Sequence, residues 1–283
     1  MHMVDRKLMG KVLDNIKCGE KGLKTGLHEL DRALGGGFQD GTFYVLGGRP
    51  AMGKTALALN IVCKAIETNT KVTYFSIEMS KEKLVERLLY MLAHVSKPRD
   101  AWTLNNEDWK SIIAASNKIV EAGLIIDDTQ GLSVDEMRDK LLNQPEYNES
   151  KLIIVDYLQI MNGHGKKEDK FDSRFLEEDY IARELRKISK DSNIPVLALS
   201  QISRACDDIR EDHHPILSDI VCRTVEEMAD VVLFLYRDEY YDMDTERKNI
   251  ADIIIEKNKY GSRVHTECVY IPEYSLFANL ERG

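Results

Sequence analysis

Nine consecutive residues, Gly47-Gly48-Arg49-Pro50-Ala51-Met52-Gly53-Lys54-Thr55, have the types and spacing that hold a polyphosphate. Gly48, Gly53, Lys54 and Thr55 satisfy G-x-x-x-x-G-K-[ST]. In that pattern the chain from Gly48 through Arg49, Pro50, Ala51 and Met52 to Gly53 turns tightly around phosphate oxygens. Its backbone N–H groups and the following helix N-terminus point at the negative charge. Lys54 would reach the β- and γ-phosphates, and the Thr55 hydroxyl would ligate Mg²⁺. The chemistry implied is the binding of a nucleoside triphosphate such as ATP together with Mg²⁺.

Three more polar residues end apolar runs. Asp156 closes Leu152-Ile153-Ile154-Val155, where a carboxylate completes a Mg²⁺ shell, often through water, or else caps a loop. Glu78 follows Lys71 to Ile77, placed either to orient and deprotonate an attacking water or to open a helix. Gln201 follows Pro195 to Ser200 and could sense the γ-phosphate or serve as a polar turn residue.

Strands and helices must deliver these groups to one place. Phe43-Tyr44-Val45-Leu46 precedes the glycine loop as a buried strand, and a helix from Lys54 to about Thr68 follows it. Helices are expected over Leu27–Leu34, Lys81–Val95 (capped by Ser80), Asn106–Ala122 and Arg174–Asp191. A capping box, Ser133 to Glu136, opens another that runs to Asn143. Further strands are expected at Leu124–Ile126, Val231–Tyr236, Ile253–Glu256, Thr266–Ile271 and Leu276–Leu280, and a polar stretch over 163–172 reads as mobile. Apolar strands alternating with helices predict an α/β fold, a mostly parallel sheet with helices on both faces. Such sheets bind ligands beyond the carboxyl ends of their strands, where Gly48, Glu78, Asp156 and Gln201 all fall. Residues 22–283 read as one domain. Residues 1–21 hold an amphipathic helix, with Val4, Leu8, Met9, Val12, Leu13 and Ile16 on one face over residues 3–17, that packs on its own domain or docks elsewhere.

Composition narrows the class. The 283 residues carry a net charge of −9, against nucleic-acid binding through a globally basic surface but not against a local basic strip. Five scattered cysteines without C-x-x-C favour reduced thiols in a cytoplasmic protein. No signal peptide and no apolar run near 18 residues is evident, so neither export nor a membrane partner is expected. Adjacent His213 and His214 lack a spaced partner for a metal and read as exposed loop. The aromatic run Tyr236 to Tyr241 either meets a base or is a strand end covered by neighbours.

The stretches GGRPAMGKT, YFSIEMS, LIIVDYLQIM, LALSQISR and ADVVLFLYRDEYY, in this order, resemble those of the DnaB-type replicative helicases, in the motor domain with a RecA-like fold. The resemblance covers almost the whole chain. It implies a homo-oligomeric, hexameric ring ATPase that translocates along single-stranded DNA and unwinds duplex during replication, with a helicase loader and primase as further partners. It implies that the first helix is a linker docking on a neighbouring subunit. A ring would line its pore with copies of Arg204, Arg210 or Arg223.

Three departures from the family pattern stand out. The helical domain that precedes the motor in full-length relatives is not in this sequence, as in a trimmed chain or a short phage- or element-type version. The family's Arg-Glu-Ser-Gly loop after Leu-Ser-Asp is replaced by Ile220-Val221-Cys222-Arg223-Thr224, without the glycine, which puts the mode of DNA contact in question. The family's Lys-x-Arg-x-Gly segment reads Lys257-Asn258-Lys259-Tyr260-Gly261, so Lys259 stands where the resemblance expects an arginine finger, with Lys257 as the second candidate. A RecA-like regulatory ATPase with little unwinding is the alternative function. A small-molecule kinase is disfavoured because no arginine-rich lid follows the core strands.

Overall fold

A computed structural model describes residues 22–98, 103–147, 149–164, 171–208 and 210–281, with isolated positions 6, 9, 10 and 13 before them. The linker helix expected over 3–17 and the centre of the polar stretch, 165–170, otherwise lie outside the described residues.

Nine strands form one sheet: β1 (Phe43–Gly48), β2 (Val72–Ser76), β3 (Ile125–Asp127), β4 (Leu152–Asp156), β5 (Val196–Gln201), β6 (Val231–Tyr236), β7 (Ile250–Asn258), β8 (His265–Ile271) and β9 (Leu276–Asn279). Their spatial order is β3-β2-β4-β5-β1-β6-β7-β8-β9. The first six in that order are parallel, and β7 to β9 extend the sheet antiparallel. Strands β1, β2 and β4 are buried at every position, because a parallel sheet covered on both faces leaves no side to water. Helices α1 (His28–Ala33), α2 (Lys54–Glu67) and α3 (Lys81–Ala93) contribute to one core with Tyr44, Leu46, Tyr74 and Ile154. Helices α5 (Val134–Asn143), α6 (Arg174–Ser192) and α7 (Arg223–Met228) contribute to the other, with Phe43, Val45, Phe75 and Val155. Helix α4 (Asn106–Glu121) lies outermost, against α3, with Ala115 its one buried residue.

Side-chain caps open three of these seven helices, α4, α5 and α6. The expected capping box is present, with Ser133 and Glu136 each accepting from the other's backbone N–H. Ser80 is a correction: it occupies the N-cap position of α3 but makes no capping bond with its side chain, and the Lys81 N–H donates instead to Asp128 Oδ2 at 3.0 Å. Gly47 is fixed by close approach, since a Cβ there would lie 2.6 Å from the Phe234 ring on β6. No helix among the described residues is long and apolar enough to cross a membrane.

Candidate functional site

The adjacent strands β2, β4, β5 and β1 end together, and their registers align Ser76 with Asp156 and Gly48 with Gln201. Beyond these ends lies a cleft of about 790 Å³, lined by Pro50, Ala51, Gly53, Lys54, Thr55, Glu78, Asp156 and Gln201 among others. Residues from scattered motifs are thus brought to one cavity.

The glycine loop joins β1 to α2. Gly53 holds φ at +113°, a conformation that L side chains rarely adopt, and so frees the first N–H groups of α2 to face the cleft. Lys54 is almost fully buried, and its Nζ donates to Gly48 O at 2.8 Å and Arg49 O at 3.1 Å. Burial pulls the Lys54 ammonium down to about 8, opposed by the charges of Asp156 and Glu78. Arg49 shares the loop through its backbone, but its guanidinium is committed to Asp207 and to Ile202 O.

Thr55 Oγ1 donates to Asp156 Oδ2 at 2.9 Å, and Tyr74 Oη donates to the same oxygen at 2.7 Å. Burial pushes the Asp156 carboxyl up, against hydrogen bonds from Tyr74 and Thr55 and the Lys54 charge. A hydroxyl and a carboxylate in contact at the cleft are hard oxygen donors, and they fit Mg²⁺ bound beside a polyphosphate. Glu78 lines the same cleft and is exposed there. Gln201 is positioned by Gln159, whose side chain accepts from Gln201 N at 3.0 Å and donates to Gln201 O at 3.1 Å. Sequence reasoning does not single out Gln159, because only the β4–β5 pairing brings it there.

The cleft also recruits residues that carry no motif. Arg87 and Tyr90 on α3 and Tyr270 and Tyr274 from the antiparallel end line its wider part. Arg237 Cζ lies 4.2 Å from the Tyr270 ring centroid, and its buried Nε has no hydrogen-bond partner among the described residues. Flat aromatic and guanidinium surfaces of this kind suit a nucleobase.

Other expected residues lie elsewhere. Lys257 and Lys259 sit at the far end of β7, opposite Val232 and beside Asp230, at the edge where β6 begins. That edge is about 17 Å from their own glycine loop, the length of a six-residue strand. Lys259 Nζ pairs with Asp230 Oδ1 at 2.9 Å, and Lys257 Nζ donates to the carbonyls of Glu226 and Glu227 at the end of α7. Neither lines the cleft of its own chain. Arg204 and Arg223 are exposed, the latter paired with Glu227 at 2.9 Å. Arg210 is engaged with buried Asp219 and with His214 O.

The two histidines are half-buried, where the sequence suggests an exposed loop. His213 stacks on Tyr241 at 4.3 Å and His214 on Tyr236 at 4.1 Å, since the fold lays their loop across the end of β6. Tyr236 is buried, as a covered strand end should be. No group of three or more metal-ligating side chains occurs among the described residues.

With this geometry in hand, comparison with known proteins is specific. Residues 22–279 match the DnaB-like helicase C terminal domain. The replicative DNA helicase DnaC of Bacillus subtilis (strain 168) is 40% identical over 95% of this chain and 59% of its own length. The replicative DNA helicase DnaB of Geobacillus stearothermophilus is 39% identical over 98% of this chain and 62% of its own. The chain therefore spans about three fifths of the length of these curated relatives. A solved DnaB-like replicative helicase superimposes with a TM-score of 0.87 at 31% identity, over 99% of this chain and 68% of that one. A separately solved ATPase domain superimposes with a TM-score of 0.91 at 31% identity, over 99% of this chain and all of that one. The RecA-like arrangement, the strand-end cleft and the sequence match agree: the chain belongs to the family of DnaB-like helicase C-terminal domains.

Proposed function

We propose that this chain is the ATP-hydrolysing motor of a replicative DNA helicase, working as a ring, most simply a hexamer, on single-stranded DNA. The observation that carries it is the convergence of Lys54, Thr55, Asp156, Glu78 and Gln201 on one cleft at four adjacent strand ends. Family membership supports the reaction class. The similar solved helicase is described with its interactions with primase, and primase and a loader are partners on this reading. Cytoplasmic residence goes with it, and the four described cysteines carry free, buried thiols.

The residues divide the work. Lys54 moves its ammonium from the Gly48 and Arg49 carbonyls to the β- and γ-phosphates. Thr55 and Asp156 would hold Mg²⁺, which would supply neutralisation of the charge that develops on the phosphates. Glu78 orients water and takes its proton, and Gln201 meets the γ-phosphate by hydrogen bonding. Lys259, just past the end of β7 and outside the lining of its own cleft, acts on a neighbour's nucleotide, as the family resemblance implies. Arg204 and Arg223 carry the contact with DNA phosphates, and Arg210 braces their segment through Asp219. That engagement of Arg210 also favours the second reading, a regulatory ATPase with little unwinding.

Glu78→Gln tests the site. Nucleotide affinity and nucleotide-dependent assembly should persist while turnover falls by about 10²-fold or more. ATP hydrolysis at the wild-type rate would show that Glu78 is not the base. Strand displacement and stimulation of hydrolysis by single-stranded DNA separate motor from regulator.

A further inference from the structure

Tyr74 lies in the middle of β2 with its side chain fully buried, on the face covered by α2. Its neighbours across the β2–β4 pair are Ile154 opposite and, two residues on, Asp156 opposite Ser76. The ring runs up the covered face beneath α2, and the hydroxyl reaches Asp156 Oδ2 at 2.7 Å. A buried tyrosine needs a partner for its hydroxyl, but this acceptor is the carboxylate assigned to the cation. An aliphatic residue would fill a strand core without that polar atom.

Thr55 and Tyr74 donate to the same oxygen, and neither bond uses Oδ1. A threonine hydroxyl has one proton and two lone pairs, so Thr55 can face a cation with a lone pair while its O–H still donates to Asp156. It must then satisfy two partners at once. Tyr74 has no such second duty, since it lies wholly under the sheet face. Its bond to Oδ2 makes no use of Oδ1.

We propose that Tyr74 is a positioning residue for the divalent cation: its hydroxyl fixes Asp156 in the orientation that serves Mg²⁺. The proposal rests on the reading of Thr55 and Asp156 as the cation's holders. It predicts an effect on metal affinity that is separate from nucleotide affinity and from packing.

The test uses Mn²⁺ as the probe, titrated by electron spin resonance into the chain saturated with a non-hydrolysable ATP analogue. Tyr74→Phe and Tyr74→Leu both remove the hydroxyl but differ in how well they fill the core. Each should weaken Mn²⁺ binding about tenfold, the scale for losing an outer-shell partner of a metal ligand. Affinity for the nucleotide measured with chelator present should stay within about twofold of wild type by the same argument. Tyr74→Leu should melt lower than Tyr74→Phe while showing the same metal defect. If either folded variant binds Mn²⁺ as wild type does, Tyr74 is only a core residue and the proposal is overturned; one folded variant suffices for this. Absence of nucleotide-dependent Mn²⁺ binding in the wild type would instead overturn the reading of the site itself.

Discussion

Arg49 Nε donates to Asp207 Oδ2 at 2.8 Å, joining the glycine loop to the segment that follows β5. A second guanidinium bond goes to Ile202 O at 3.0 Å, and Tyr241 Oη holds the other Asp207 oxygen at 2.7 Å. Against partial burial, the bonds from Tyr241 and Cys206 and the Arg49 charge hold the Asp207 carboxyl below its usual range. Asp207 stands three residues from Arg204, on the segment proposed to meet DNA. The pair therefore ties the glycine loop to the segment that the proposed function assigns to DNA.

Asp207→Asn should keep the shape and lose the charge. Nucleotide affinity and basal hydrolysis should stay near wild type, whereas stimulation by single-stranded DNA should drop about fivefold or more, the lower end of site-to-site coupling. Rates measured with and without DNA check this. Full stimulation in the variant would mean the link carries no signal.

The ammonium of Lys54 sets a pH dependence. Burial lowers its pKa to about 8 in the free chain, and a bound triphosphate favours the charged form, so the pKa rises on binding. Binding then takes up a proton above about pH 8, and affinity is full below that pH and lost as pH rises through it, by up to about tenfold per unit. Calorimetry in two buffers of different ionisation enthalpy reads the proton directly. Lys54→Met should bind weakly and show no uptake from this group.

Lys259 should act in trans. Asp230, buried beside it, also meets Arg186 at 3.2 Å, Lys190 at 3.8 Å and the Phe43 N–H at 3.2 Å. Removing one half-exposed cation leaves the carboxylate paired, so Lys259→Ala should cost no more than about 1 kcal/mol of stability. Hydrolysis by the assembled protein should fall at least about tenfold, less than for an arginine finger because lysine lacks the planar fork. Mixing Lys259→Ala with Lys54→Ala subunits should restore part of the activity, since some interfaces then combine an intact loop with an intact lysine. Mixed rings that form and stay inactive would rule out the trans role. Lys257→Ala should lower the melting temperature, because it loosens the end of α7, and leave hydrolysis largely intact.

Most strands were legible because a sheet buried on both faces is written as continuous apolar runs, as in β1, β2 and β4. The glycine loop was legible because its chemistry is local. The sequence predicts β7 only over Ile253–Glu256, whereas it runs from Ile250 to Asn258. Its Asp252 is buried under a two-pronged bond from Arg247. Asp128 capping α3 from 47 residues away, Gln159 beneath Gln201 and Tyr74 on Asp156 depend on strand order and register. No sequence window contains both partners, so pattern reading could not reach them.

The sheet ends in β3 and β9, three and four residues long. Edges this short expose few free N–H and C=O groups on which a foreign strand could align. Edges of this length offer little template for a ladder running from one copy's sheet into the next. A joint made through side chains yields by rotamer changes and small rotations, whereas a shared ladder would have to be unzipped. In the proposed ring, subunits would use that freedom to shift against each other without losing hold.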